Sequence, residues 1–156
     1  MKTLSDKIFR YVKIFTLLIL TLMTSAAFLQ VVFRYVFKYP LPWTEELARF
    51  LFVWLTFIGS AAAVKSKSHI AMDLFVSMFP KVIQKYITLL ALIVFLGFSI
   101  LLVKQGLFLT QMNMGQESDA LGIKMGYPYL AIPVGGILMA FFIIEQIITV
   151  LRKGVN

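Results

Sequence analysis

Six side chains in this 156-residue sequence carry chemistry that a site could use: Arg34, Trp43, Glu45, Glu46, Arg49 and Glu145. Four of them sit in one string, WTEELAR, directly after Pro42. Glu45 and Arg49 are four residues apart in the order that favours an ion pair on one helical face. Thr44 is placed to cap a helix, and Glu45 and Glu46 would then occupy the first turn, where the helix dipole favours negative charge. Trp43 suits the headgroup level of a bilayer. Two readings of this string stand: a capped helix end with a local ion pair, or a contact surface for a partner protein. Arg34 lies on the same side, placed to reach either Glu46 or a lipid phosphate. Glu145 is the one acid inside the last apolar run. A lone acid with no second carboxylate nearby in sequence supports a proton or sodium site weakly. A structural pair with Arg152, Lys153 or a partner helix is the expectation.

No constellation for catalysis accompanies these residues. The sequence has no phosphate loop, no Ser-His-Asp set, no paired carboxylates deep in a span and no metal-ligand cluster. It has no cysteine, which excludes disulfides and thiolate metal sites. Its single histidine, His69, cannot supply both axial ligands of a bis-histidine haem. His69 stands among lysines and is expected to face water or lipid phosphate. The expectation is no enzyme, and no cofactor held by this chain.

The elements that must position these residues follow from composition. The chain is 60% hydrophobic and 14% charged, whereas soluble domains are roughly 45–50% apolar. Four apolar runs account for the excess, each about long enough to cross a bilayer as a helix. The fold class is therefore all-α and integral to the membrane, a single membrane domain with four transmembrane helices at about 14–37, 47–64, 83–109 and 129–151. A short amphipathic helix at about 69–79, with Ile70, Leu74, Phe75 and Met78 on one face, should lie in the interface and stop at Pro80. Residues 1–13 read either as a second interfacial helix or as a basic flank that orients the first span. A basic start, an apolar stretch and Ser25-Ala26-Ala27 resemble a signal peptide, but the apolar run continues past Ala27, so an uncleaved span is expected. Small residues in Gly59-Ser60-Ala61-Ala62-Ala63, and the pairs Ala131/Gly135 and Gly136/Ala140, offer faces for close helix packing.

The formal net charge is +8. The basic residues cluster at helix ends rather than in one stripe, which excludes nucleic acid and favours membrane phospholipid. Ten Lys and Arg flank the side holding both termini, against five on the other side. Both termini should therefore be cytoplasmic, with the Trp43 turn and the 111–127 loop facing outward. No internal repeat and no break within the first three runs suggests a transport pathway. Packing faces without a solute site point to an accessory or scaffold subunit. A membrane anchor for a peripheral redox enzyme is the runner-up, and the lone His69 speaks against haem. A stand-alone small transporter or channel would need the repeat or acidic pair that is missing.

The strings FRYVF, PLPWTEELARFLFVWLTFIGSAAAV, HIAMDL and YLAIPVG resemble the small membrane subunit (Q, DctQ-like) of tripartite ATP-independent periplasmic (TRAP) transporters. PWTEELAR is the specific part, and the resemblance covers nearly the whole chain. Two departures are SKSHI, where the family more often has a glycine before the histidine, and Lys124-Met125-Gly126, where proline is common. The resemblance implies a bacterial inner-membrane protein that works with a large membrane (M) subunit and a periplasmic substrate-binding protein. The large subunit would carry an organic acid, such as a C4-dicarboxylate or sialic acid, with sodium by an elevator motion. The small subunit would be required without forming the main substrate site.

Overall fold

The computed structural model describes residues 2–66 and 80–152. The expected interfacial helix at 69–79 and His69 lie outside the described residues. The described residues form five α-helices: α1 (Lys2–Tyr35), α2 (Pro42–Lys65), α3 (Lys81–Met112), the single-turn α4 (Gly126–Tyr129) and α5 (Ala131–Arg152). A 3-10 turn, Asn113–Gly115, follows α3. Among the described residues four helical stretches are long and apolar enough to cross a membrane, Leu4–Tyr35, Pro42–Lys65, Ile83–Gly115 and Gly126–Arg152. The all-α membrane fold is thus present. The basic residues of 1–13 are no separate element from Lys2 onward, because α1 runs through them without a break. Its 34 residues make a rod of about 51 Å, well beyond the roughly 30 Å of bilayer hydrocarbon.

Local chemistry sets the turn into α2. The chain leaves α1 through Lys38, whose φ of 51° lies in the left-handed region. Pro42 then opens α2 as its first helical residue, where a missing N–H is harmless and the fixed φ suits a helix. Thr44 is consequently inside the helix and is not its cap, correcting the expectation. Leu41 is the N-cap residue, and the Thr44 hydroxyl donates back to the Leu41 carbonyl at 2.7 Å.

The spans pack as a row in the order α1, α2, α5, α3. Helix α2 packs on α1 and α5, and α5 packs on α2 and α3. Among the described residues, neither α1 nor α2 packs its backbone against α3, and α1 meets α5 only slightly. A four-helix bundle would close this ring; here it stays open. The core lies along α5, where Met139, Phe142 and Ile143 cluster with Ala61 of α2 and Leu92 of α3. Two adjacent glycines let α5 sit between its neighbours. A Cβ on Gly135 would lie 2.7 Å from Phe57 Cβ of α2, and one on Gly136 would lie 2.9 Å from Val103 Cγ2 of α3. In the Gly59–Ala63 stretch, by contrast, a Cβ on Gly59 would meet Thr16 at an ordinary 3.9 Å, and Ala61 is the residue fully buried.

An open row leaves both broad faces apolar. Leu18 and Phe28 of α1, Phe52 of α2, and Phe98 and Leu101 of α3 are all exposed. Each face carries a groove. One, of about 360 Å³, lies between α2 and α3 over Met139 and Ile143 of α5. The other, of about 520 Å³, lies between α1 and α5 over Trp54 and Ile58 of α2. The α2 residues in the two grooves fall on opposite sides of that helix at 3.6 residues per turn.

Candidate functional site

Polar side chains gather at the two ends of the row. At the end where α1 begins, Glu145 of α5 is buried. Its Oε2 accepts a hydrogen bond from the Ser5 hydroxyl of α1 and a charged one from Lys65 Nζ of α2 at 2.6 Å. Lys65 also reaches the Asp6 carboxylate of α1 at 3.4 Å. Next to them, the Gln146 amide donates to the Val64 carbonyl, in the last turn of α2, at 2.6 Å. Phe9 packs edge-on against Phe142 beneath this layer. Three helices are therefore cross-tied by one lysine and one acid, both largely withdrawn from water.

Sequence reasoning placed Glu145 in a structural pair, with Arg152, Lys153 or a partner helix. Its partner is Lys65 on a neighbouring helix of the same chain. Arg152 is two turns further along α5, about 10 Å by helical rise. Lys65 and Ser5 were missed as members of this cluster. The available signal was that Lys65 closes the second span and Glu145 lies two turns before the end of the fourth, on the same side of the membrane.

At the opposite end, Glu45 accepts a charged hydrogen bond from Arg49 at 3.1 Å, the expected i,i+4 pair. It also accepts one from the Gln30 amide of α1 at 3.3 Å. Glu46 faces elsewhere. Its Oε2 accepts the backbone N–H groups of Ala120 and Leu121 at 3.0 and 2.9 Å. Those amides form the tip of a small hairpin in the 111–127 loop, paired through Glu117 and Lys124. The Ser118 N–H donates to the Ile123 carbonyl at 2.9 Å, and the Met125 N–H to the Gln116 carbonyl at 2.9 Å. Gly122, with φ of 64°, turns the tip. Successive amides pointing at one carboxylate make an anion-binding nest, here filled by the chain's own Glu46.

Arg34 is exposed and forms no ion pair with the described residues, so of its two expected partners Glu46 is engaged by the loop instead. Trp43 is partly exposed on the first turn of α2, next to the Glu45–Arg49 pair. The structure thus brings Trp43, Glu45, Glu46 and Arg49 to one end of the row with the hairpin, and puts Glu145 at the other. Among the described residues no group of His, Asp and Glu is arranged to hold a metal ion.

The sequence was also compared with known proteins. A family model described as "Tripartite ATP-independent periplasmic transporters, DctQ component" matches residues 23–153. The sialic acid TRAP transporter small permease protein SiaQ of Vibrio cholerae is 32% identical, across 76% of this chain and 69% of its own. The C4-dicarboxylate TRAP transporter small permease protein DctQ of the same species is 28% identical, across 81% of this chain and 66% of its own. The sialic acid TRAP transporter permease protein SiaT of Haemophilus influenzae is 36% identical, across 74% of this chain but 19% of its own length. The Glu46–hairpin clamp and the Lys65–Glu145 tie both lie within the matched range. The chain belongs to the DctQ family, the small permease component of TRAP transporters, and is a multi-pass membrane protein that serves transport rather than catalysis.

Proposed function

We propose that this chain is a static wall for a large, elevator-type membrane subunit in sodium-driven, binding-protein-dependent uptake of an organic acid. The observation that carries the reading is the open row of four spans, apolar on both broad faces and tied by polar contacts at both ends. Such a slab resists deformation, and the two grooves described lie open on its faces. An elevator needs a fixed surface against which its moving domain slides, and a laterally stiff apolar slab extends that surface. The match to 19% of SiaT supports a much larger membrane partner. The names of SiaQ and of the Vibrio DctQ support a substrate of the sialic acid or C4-dicarboxylate class.

The lysine and arginine asymmetry supports an inner-membrane protein with both termini cytoplasmic. The hairpin end then faces the periplasm. There Trp43, Arg34 and Arg49 lie at the same end of the row as the hairpin that Glu46 holds, and this end offers a docking surface for the substrate-binding protein.

The test is co-purification in mild detergent from the native operon, followed by uptake into liposomes under a sodium gradient with each component left out in turn. The reading expects this chain to travel with a large multi-span protein, and uptake to need both plus a soluble binding protein. Solute movement by this chain alone would overturn it. Unchanged uptake and docking after Arg34→Ala, Arg49→Ala and Glu46→Gln together would remove the docking role.

A further inference from the structure

The segment of α1 that leads into the groove between α1 and α5 carries two cations without a partner among the described residues. Tyr11, Ile14 and Leu18 of α1 line it, facing Trp54 of α2 and Val134 and Leu138 of α5. Lys7 precedes Tyr11 by four residues, so Lys7, Tyr11, Ile14 and Leu18 share one helical stripe. Arg10 lies beside that stripe, one turn beyond Lys7. Both cations are exposed, and neither makes an ion pair or hydrogen bond to another described residue. Their neighbours differ: Lys65 is engaged by Glu145 and Asp6, and Lys13 lies over the Phe9 ring at 4.8 Å.

We propose that this groove binds one anionic phospholipid, its phosphate between Lys7 and Arg10 and an acyl chain along Tyr11–Leu18. The charge pattern selects this occupant. An apolar helix from a partner would cover the groove but bring no negative charge to its rim. A phospholipid supplies both groups in the required order, headgroup at the membrane surface and hydrocarbon below. Tyr11 at the mouth has the apolar body and polar tip suited to that boundary. The stripe from Tyr11 to Leu18 is about 10 Å long, and a volume of about 520 Å³ lies within the common range of ligand sites. The lipid would wedge α1 against α5, two helices that touch little on their own. The site requires the four-span membrane fold and not the transporter assignment, so the two stand or fall separately.

The experiment is native mass spectrometry of the full-length chain, alone and with its co-purifying membrane partner. It is titrated with phosphatidylglycerol or with phosphatidylcholine of the same acyl composition. Phosphatidylglycerol should be retained preferentially. Lys7→Gln with Arg10→Gln should weaken that retention roughly thirtyfold, about fivefold per cation, and weaken retention of phosphatidylcholine, whose phosphate is offset by its own choline cation, much less. Leu138→Trp, which fills the groove, should weaken retention of both lipids. Lys38→Gln at the far end should change nothing. Equal retention of the two lipids, or indifference to the Lys7 and Arg10 changes, overturns the proposal. So does a disulfide from Leu18→Cys to an engineered cysteine on the partner with no lipid retained, which would assign the groove to a protein helix. Lys7 and Arg10 are exposed, so their double variant decides the matter even if Leu138→Trp fails to fold.

Discussion

Replacing Lys65 by methionine should be among the most damaging single changes in this chain. The Glu145 and Lys65 side chains are only 9% and 15% exposed, whereas Asp6 is 67% exposed. The Lys65–Glu145 contact is therefore a nearly desolvated pair, and Lys65–Asp6 is a surface pair of no more than about 1 kcal/mol. Removing the lysine leaves a buried carboxylate with the Ser5 hydroxyl and no counter-charge. Breaking a buried pair in this way costs about 3–5 kcal/mol. Asp6→Asn should stay below about 1 kcal/mol. Glu145→Gln should fall between the two, because Lys65 keeps Asp6 and can extend its ammonium toward water. The double variant Lys65→Met/Glu145→Met should recover most of the loss, since an apolar replacement of similar volume removes the desolvation penalty with the pair. The assay is reversible unfolding of the purified chain in mixed micelles, with Lys65→Met, Glu145→Met and their double variant read as a cycle and Asp6→Asn and Glu145→Gln beside it. Equally mild Lys65→Met and Asp6→Asn, or a double variant as unstable as the sum of its singles, would refute a desolvated Lys65–Glu145 pair.

Other consequences concern the hairpin, the glycines and one buried hydroxyl. Glu46→Ala should free the Ala120 and Leu121 amides; with charged hydrogen bonds of about 1.5–3 kcal/mol, their hydrogen exchange should quicken by at least roughly tenfold, without change at α5. Gly135→Ala should destabilise by about 1–3 kcal/mol because its methyl meets Phe57, while Gly59→Ala, with open contact distance to Thr16, should be neutral or stabilise by up to about 1 kcal/mol; thermal melts in one detergent compare them. The Thr110 hydroxyl is buried with no partner among the described residues, so the near-isosteric Thr110→Val should raise stability by about 1–3 kcal/mol. A lower melting temperature for Thr110→Val would mean that the hydroxyl is engaged in the membrane.

Much of the architecture is written in the order of residue types. Four apolar runs must become helices in a bilayer whatever they pack against, because the backbone has no other way to satisfy its hydrogen bonds. The Glu45–Arg49 pair was legible for a similar reason, being set by spacing on a single helix. Thr44 looked like the cap of α2 because of its hydroxyl, whereas Pro42 opens that helix. Identity at family level came from PWTEELAR and its flanks, a linear string that needs no third dimension.

The contacts between helices were not legible in this way. Which faces meet depends on how each helix is rotated and which neighbour lies beside it, and no single run encodes that. Five small residues at 59–63 all offered a close approach, yet Ala61 took the core, and Gly135 and Gly136 set the tightest contacts of α5. Glu145 announced itself as an acid in need of a partner. That the partner is Lys65, 80 residues away, depends on α2 and α5 lying side by side. Glu46 is held by backbone amides, which every residue but proline has, so no residue type could have revealed them. Sequence alone determined the spans, the charged ends and the family, because partition into lipid is a property of each segment. Tertiary structure decided the open row, its two polar ties and its grooves, because these are properties of pairs of surfaces.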